Sequence, residues 1–208
     1  MEAPRAHIST ISNDDAALRR AVRIVALLNL GYFGIEFGVA LAIGSVSLFA
    51  DSIDFLEDAA VNGLILIALN WNPQRRSLVG MALAAILLAP GLATLWTAWD
   101  KLVAPLSPAP VPLSLAGGGA LAVNLFCASL LARFRAHSGS LTRAAFLSAR
   151  NDALANVAIV AAGLLTIVTL SAWPDLLVGL GIFFMNLDAA REVLTAARRE
   201  RSLAAGQP

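Results

Sequence analysis

The chain has 208 residues, of which 58% are hydrophobic and only 14% charged, with a net charge of +1 and a mean hydropathy of +0.74. That balance excludes an ordinary soluble domain, whose apolar share is about 45–50%, and offers no strongly cationic surface for nucleic acid. The single cysteine, Cys127, excludes an intramolecular disulfide or a thiolate cluster and reads as a small packing residue.

Six apolar segments are long enough to span a bilayer: 24–44, 47–71, 78–99, 111–132, 144–170 and 174–195. The predicted fold is an all-α integral membrane protein of six transmembrane helices, comprising a tail over 1–23, a six-helix domain over 24–197 and a short tail over 198–208. The polar first 23 residues do not read as a cleaved signal peptide. Arg5, Arg19, Arg20 and Arg23 precede span one, Arg75 and Arg76 join spans two and three, Arg133, Arg135 and Arg143 join spans four and five, and Arg198, Arg199 and Arg201 follow span six. The opposite loops carry only Lys101 as a cation, so the positive-inside rule places both termini in the cytoplasm. The expected location is the cell membrane, of the bacterial inner type, with the lipid bilayer as the principal partner.

Span one places Asn29, Tyr32 and Glu36 at helical spacings of three and four, a polar seam expected to face span two. Asn29 and Tyr32 are read as hydrogen bonds between helices. Glu36, a carboxyl near mid-membrane, either carries its proton or belongs to a proton path. GSVS then forms a tight turn, which makes spans one and two an antiparallel hairpin.

Span two, SLFADSIDFLEDAAVNGLILIA, holds Asp51, Asp54, Glu57 and Asp58. Each would cost roughly 2.5–3.5 kcal/mol if ionised at a bilayer centre, against a gain of about 0.3–0.6 for each Leu, Ile, Val or Phe. At about 100° per residue, Asp51, Asp54 and Asp58 fall within an arc of roughly 60°, Asn62 returns to the same side and Glu57 sits just beyond its edge. Hydrocarbon offers a carboxylate no partner, so this stripe must face a protein interior, a water-filled cavity or a bound cation.

In span three, Pro90 and Gly91 predict a kink, and Trp96 and Trp99 close the span as an outer aromatic belt. The proline-rich stretch APLSPAPVP is read as extended. Gly117, Gly118 and Gly119 of span four are expected to let a neighbouring backbone approach closely, with Asn124 hydrogen-bonding across helices. His137, in a polar loop, reads as solvated. In span five, with Ser148 as origin, Asp152 and Asn156 fall at about 40° and 80° and Asn151 at about −60°, a second polar face, while Arg150 points elsewhere. Asp58 lies roughly 17 Å below the outer end of span two and Asp152 roughly 12–15 Å above the inner end of span five. Asp54, Asp58 and Asp152 can therefore converge near the midplane. In span six, Asp188 and Arg191 are read as a structural pair.

These motifs resemble the cation diffusion facilitator family, six-span exporters of divalent metal in exchange for protons. Gly44 and Ser45 followed by SLFADSIDFLED match the family's second span of the form LxxLxADAxHxLxD, with Asp54 and Asp58 on its two ligand positions and Asp51 on its leading aspartate. RAAFLSARNDALANV aligns without a gap with the family's fifth span, placing Asp152 on its second ligand position and Ser148 on its first. Asn29, Glu36, Asn124 and Pro174-Asp175 are smaller echoes. The resemblance covers nearly the whole chain.

The resemblance implies a metal/proton antiporter with no permanently bound cofactor, its substrates a divalent cation (Zn, Mn, Fe or Co) and protons. Asp54, Asp58, Asp152 and Ser148 would form the metal site, and Asp51, Asn151, Glu36, Glu57, Asn62 and Asn156 supporting positions or a proton path. Ser148 stands where relatives carry His or Asp, which leaves an oxygen-only donor set. The resemblance also implies a homodimer. The chain stops at Pro208, where many relatives continue into a cytoplasmic metallochaperone-like domain, and it has no histidine-rich loop. A competing reading is a non-transporting regulatory or scaffold protein of the same fold with a degenerate site. A proton or cation channel fits less well because the acidic cluster is compact, and no catalytic motif of an enzyme is present.

Overall fold

A computed structural model describes residues 4–68, 92–134 and 139–204, with side chains described from Ala16 to Ile67, Leu92 to Phe134, Ser148 to Leu187 and at Arg191. Within these residues the chain is all helix and contains no strand. The helices are α1 (Pro4–Ile43), α2 (Val46–Ala68), α3 (92–103 as described), α4 (Pro110–Ala132), α5 (Gly139–Thr169) and α6 (Trp173–Ala204). Intra-helical hydrogen bonding is the only way such segments can satisfy their backbone in lipid without a closed barrel. Ala16–Ile43, Pro110–Ala132 and Ser148–Thr169 are long and apolar enough to cross a membrane, and Trp173–Leu187 is a shorter apolar helix. At 23 residues, α2 is long enough, but its four acids keep it out of that set.

The element ends differ from the sequence expectation in two directions. α1 begins at Pro4 and α6 runs to Ala204, so most of both expected tails is helix continuous with a span. α3 continues one turn past Trp99 to residue 103, although Trp96 and Trp99 are exposed as an interfacial belt requires. Arg75, Arg76, the Pro90-Gly91 kink, Arg135 and His137 lie outside the described residues, as do the side chains of Arg5, Arg143, Asp188, Arg198, Arg199 and Arg201.

Gly44 makes the α1–α2 hairpin possible. It adopts φ +64°, and the Ser45 N–H closes back onto the Ala40 carbonyl at 3.0 Å, a Schellman-type helix end that needs a residue without Cβ strain. Pro110 opens α4, where a missing N–H costs nothing. The short α5–α6 turn uses Leu170 at φ +51°, its carbonyl taken by the Ser107 hydroxyl at 2.7 Å. These three connections gather at one end of the bundle, the end the positive-inside rule assigns to the outside.

α1 pairs with α2 and α4 with α5. α2 also packs on α5 and α6, and α1 on α4. Four helices thus surround a polar interior. On the outer side it is sealed by an apolar cluster that includes Leu48, Ile53, Leu113 and Ile159, and on the inner side by Val22, Val25, Cys127 and Leu131. The outward faces carry Leu27, Leu30, Ile35, Leu125 and Val168, each more than half exposed. That surface suits lipid, whereas in water it would be an aggregation hazard.

The glycines correct one expectation. A Cβ on Gly117 or Gly119 would meet side chains, Ile159 and Tyr32 respectively, and one on Gly118 would meet nothing. Close backbone approach occurs instead at Gly179, against Val46 and Ser47, and at Gly163, against Ser114.

Candidate metal site

Two polar tiers stack along α2, separated by about two helical turns. In the inner tier Asp58 is the hub. Its Oδ1 accepts the Ser148 hydroxyl at 3.0 Å from α5, and its Oδ2 accepts Asn29 Nδ2 at 3.4 Å from α1. Asn62, buried one turn on, donates to the Asp58 backbone carbonyl at 2.8 Å, and its own Oδ1 has no partner among the described residues. Cys127 directs its sulfhydryl toward Asn29 Oδ1 at 3.8 Å, which gives this packing residue a polar neighbour as well.

In the outer tier Asp51 is fully buried and its Oδ2 accepts Asn156 Nδ2 at 2.5 Å. Asn124 of α4 donates in turn to Asn156 Oδ1 at 3.0 Å. Glu36, equally buried, is the electrostatic neighbour of Asp51 across the α1–α2 seam. Neither Glu36 oxygen, nor Oδ1 of Asp51, closes a hydrogen bond of ordinary geometry with the described residues.

Asp54 lies between the tiers, 9% exposed, and the charges of Asp152, Asp51, Glu57 and Asp58 all bear on it. Asp152 in turn feels Asp58, Asp51 and Glu57. The two polar stripes thus meet: α2 and α5 run antiparallel with Asp58 beside Ser148 and Asp51 beside Asn156. As the side chains stand, no three His, Cys, Asp or Glu groups among the described residues are spaced to hold a metal ion.

Several predicted positions fall elsewhere. Asn151 is exposed and accepts Arg150 Nη2 at 3.3 Å, because its −60° offset turns it away from α2. Tyr32 keeps its ring against Phe55 of α2 at 5.0 Å but sends its hydroxyl to α4, donating to the Ala116 carbonyl at 2.6 Å. Glu57 is only partly buried, at the edge of the stripe.

Sequence reading missed the carboxylate that accepts the most hydrogen bonds among the described residues. Asp175, noted only as an echo, accepts from Ser45, Val46, Ser47 and Lys101 at the outer end of the bundle. The one signal available was Lys101, the lone cation expected on the outer side, with Asp175 at the start of a span on that same side. A cleft of about 550 Å³ between the ends of α1, α2 and α3, lined in part by Ala40, Trp96, Asp100 and Lys101, opens at this end, away from Asp58 and Asp152.

No curated protein matches the chain. A family model described as the cation efflux transmembrane domain matches residues 22–200, a stretch that contains both acidic tiers and reaches all six helices. The chain therefore belongs to the cation efflux, or cation diffusion facilitator, family of membrane cation transporters, whose transmembrane domain it carries.

Proposed function

We propose that the protein moves a divalent metal cation across the membrane in exchange for protons, with Asp54, Asp58 and Asp152 as the principal ligands and Ser148 beside them. The observation that carries this reading is the Ser148–Asp58 hydrogen bond, which sets the two motif-bearing helices in register with Asp152 one turn from Ser148. Crowded carboxyl groups in a low-dielectric interior cannot all carry charge at once, so an arriving cation displaces protons and the two flows are coupled. Asn29 and Ser148 stand in as donors to Asp58; when a cation takes Oδ1, the Ser148 hydroxyl turns its lone pair inward. Glu36 and Asp51, one tier further out, hold carboxyl oxygens with no hydrogen-bond partner among the described residues and offer the next stop for protons.

An all-oxygen donor set shifts preference from zinc toward Mn or Fe(II), provided water can raise the coordination number to five or six. We also propose a homodimer in the cell membrane, which a single-chain mass across a wide range of protein-to-lipid ratios in nanodiscs would rule out. The deciding experiment is flux in proteoliposomes: when Mn, Zn, Fe(II) or Co is added outside, metal should enter as protons leave, so that purified protein alkalinises the lumen. No metal-dependent proton movement with any of them would refute the transport reading.

A further inference from the structure

The outer end of the bundle holds a cluster for which the proposed metal chemistry has no use. Asp175, in the first turn of α6, is fully buried. Its carboxylate accepts the Ser45 and Ser47 hydroxyls, both at 2.6 Å, the backbone N–H groups of Val46 at 2.9 Å and Ser47 at 3.1 Å, and Lys101 Nζ at 2.9 Å. Val46 and Ser47 are the first residues of α2, whose opening N–H groups have no partner within their own helix. Asp175 therefore caps α2 from another helix. Lys101 of α3 is itself only 6% exposed and donates also to the Gly44 carbonyl at the α1–α2 turn.

A second observation, independent of charge, lies one turn along α6. A Cβ on Gly179 would stand 2.7 Å from the Val46 carbonyl carbon and 2.8 Å from Ser47 N, so α6 meets the start of α2 backbone to backbone. Val46, Ala98 and Leu176 pack beside it as an apolar collar. One carboxylate and one close approach thus join α2, α3 and α6. Separating them would strand a carboxylate, an ammonium and helix-start N–H groups in a poorly solvated place, which neighbouring apolar contacts cannot offset. Lower on α2, Asp58 is held to its neighbours by two hydrogen bonds from uncharged donors, at 3.0 and 3.4 Å. That contact parts far more easily.

We propose that Asp175 and Lys101 are positioning residues for transport: they pin the outer end of α2 to α3 and α6, so that the helix pivots there and swings its metal-bearing lower part. Asp58 lies about 18 Å along α2 from Val46 at about 1.5 Å per residue, so a tilt of about 10° moves it by about 3 Å. A displacement of that size changes which side of the membrane the carboxylates face without breaking the cap. This inference rests on the transport reading for its purpose, but not for its geometry.

The test uses the full chain in proteoliposomes and nanodiscs. Lys101→Met/Asp175→Asn removes both charges together, leaving neither buried alone. Gly179→Ala keeps every charge and lifts α6 off the first turn of α2. In both variants manganese and zinc affinity should stay within about twofold of wild type, because no proposed ligand is touched, while metal-driven flux falls at least about tenfold. Flux at the wild-type rate in a folded variant, or a loss of metal affinity matching the loss of flux, would overturn the proposal. A readout that needs no flux is the distance between nitroxides at the exposed positions Ile67 of α2 and Phe184 of α6, measured by pulsed EPR. Wild type should give one narrow distribution that zinc shifts, and each variant a broad one. Distributions unchanged by the variants would sink the pivot even if transport itself were never observed, whereas absent wild-type flux with broadened variant distributions would sink only the transport reading.

Discussion

Ser148 donates its hydroxyl to Asp58 Oδ1 at 3.0 Å across the α2–α5 interface. The two residues are 90 positions apart, and each occupies a place that the family resemblance reserves for a metal ligand. Their contact means that the most unusual residue of the proposed donor set faces another member of that set.

Asp58→Ala and Asp152→Ala are each expected to reduce metal-driven proton movement to the leak of protein-free liposomes while the chain still inserts and folds. Each removes a group that costs roughly 2.5–3.5 kcal/mol to place ionised at mid-membrane, so insertion should be no worse. In wild type, protons and metal compete for the same oxygens. Metal affinity should therefore rise with pH, by about tenfold per pH unit for each proton released. Titrations at about pH 6 and pH 8 that gave equal affinity would contradict proton exchange.

Ser148→His places an imidazole one helical turn from Asp152 and beside Asp58. Zinc affinity should rise by about tenfold or more, since a nitrogen donor replaces a hydroxyl that binds poorly, while manganese affinity changes little. Calorimetric titration of both metals into both proteins is the check. Unchanged zinc affinity would mean that position 148 turns away when metal arrives.

Asn156→Ala should destabilise the protein by about 1–3 kcal/mol, because it leaves a fully buried Asp51 oxygen without its donor. Asn124→Ala removes only a neutral hydrogen bond one link further out and should cost about 1 kcal/mol. The double variant should cost less than the sum, since the two residues form one chain from α4 to α2. Denaturant unfolding in detergent would measure all three, and strict additivity would show that the chain does not act as a unit.

Two glycines on the same scaffold should respond in opposite ways to the same change. Gly179→Ala pushes a methyl into the Val46 and Ser47 backbone, atoms that cannot yield, and should cost about 1–3 kcal/mol. Gly118→Ala meets nothing within 4 Å on a helix interior and should stabilise by about 0.5–1 kcal/mol. Comparable melting temperatures for the two would refute the close approach at Gly179.

The membrane class, the number of spans and the acidic stripe of α2 were all legible in the amino-acid order, because each depends on local periodicity. Twenty apolar residues must form a helix in lipid whatever surrounds them, and spacings of three and four place Asp51, Asp54 and Asp58 on one face in any helix. The depth argument set Asp58 level with Asp152, and the structure sets it beside Ser148, one turn nearer the inner end of α5. What the order of residues could not supply was which face of each helix meets which neighbour. Asn151 and Asp152 are adjacent in the chain, yet one is exposed and the other stands among the carboxylates. Tyr32 belonged by spacing to the α1–α2 seam, but the packing of α4 against α1 offered the Ala116 carbonyl. Asp175 and Lys101, 74 residues apart, become one ion pair only when three helix ends meet. The tertiary structure decided these because a buried hydrogen bond or ion pair depends on distances of about 3 Å between groups whose sequence separation carries no information about them.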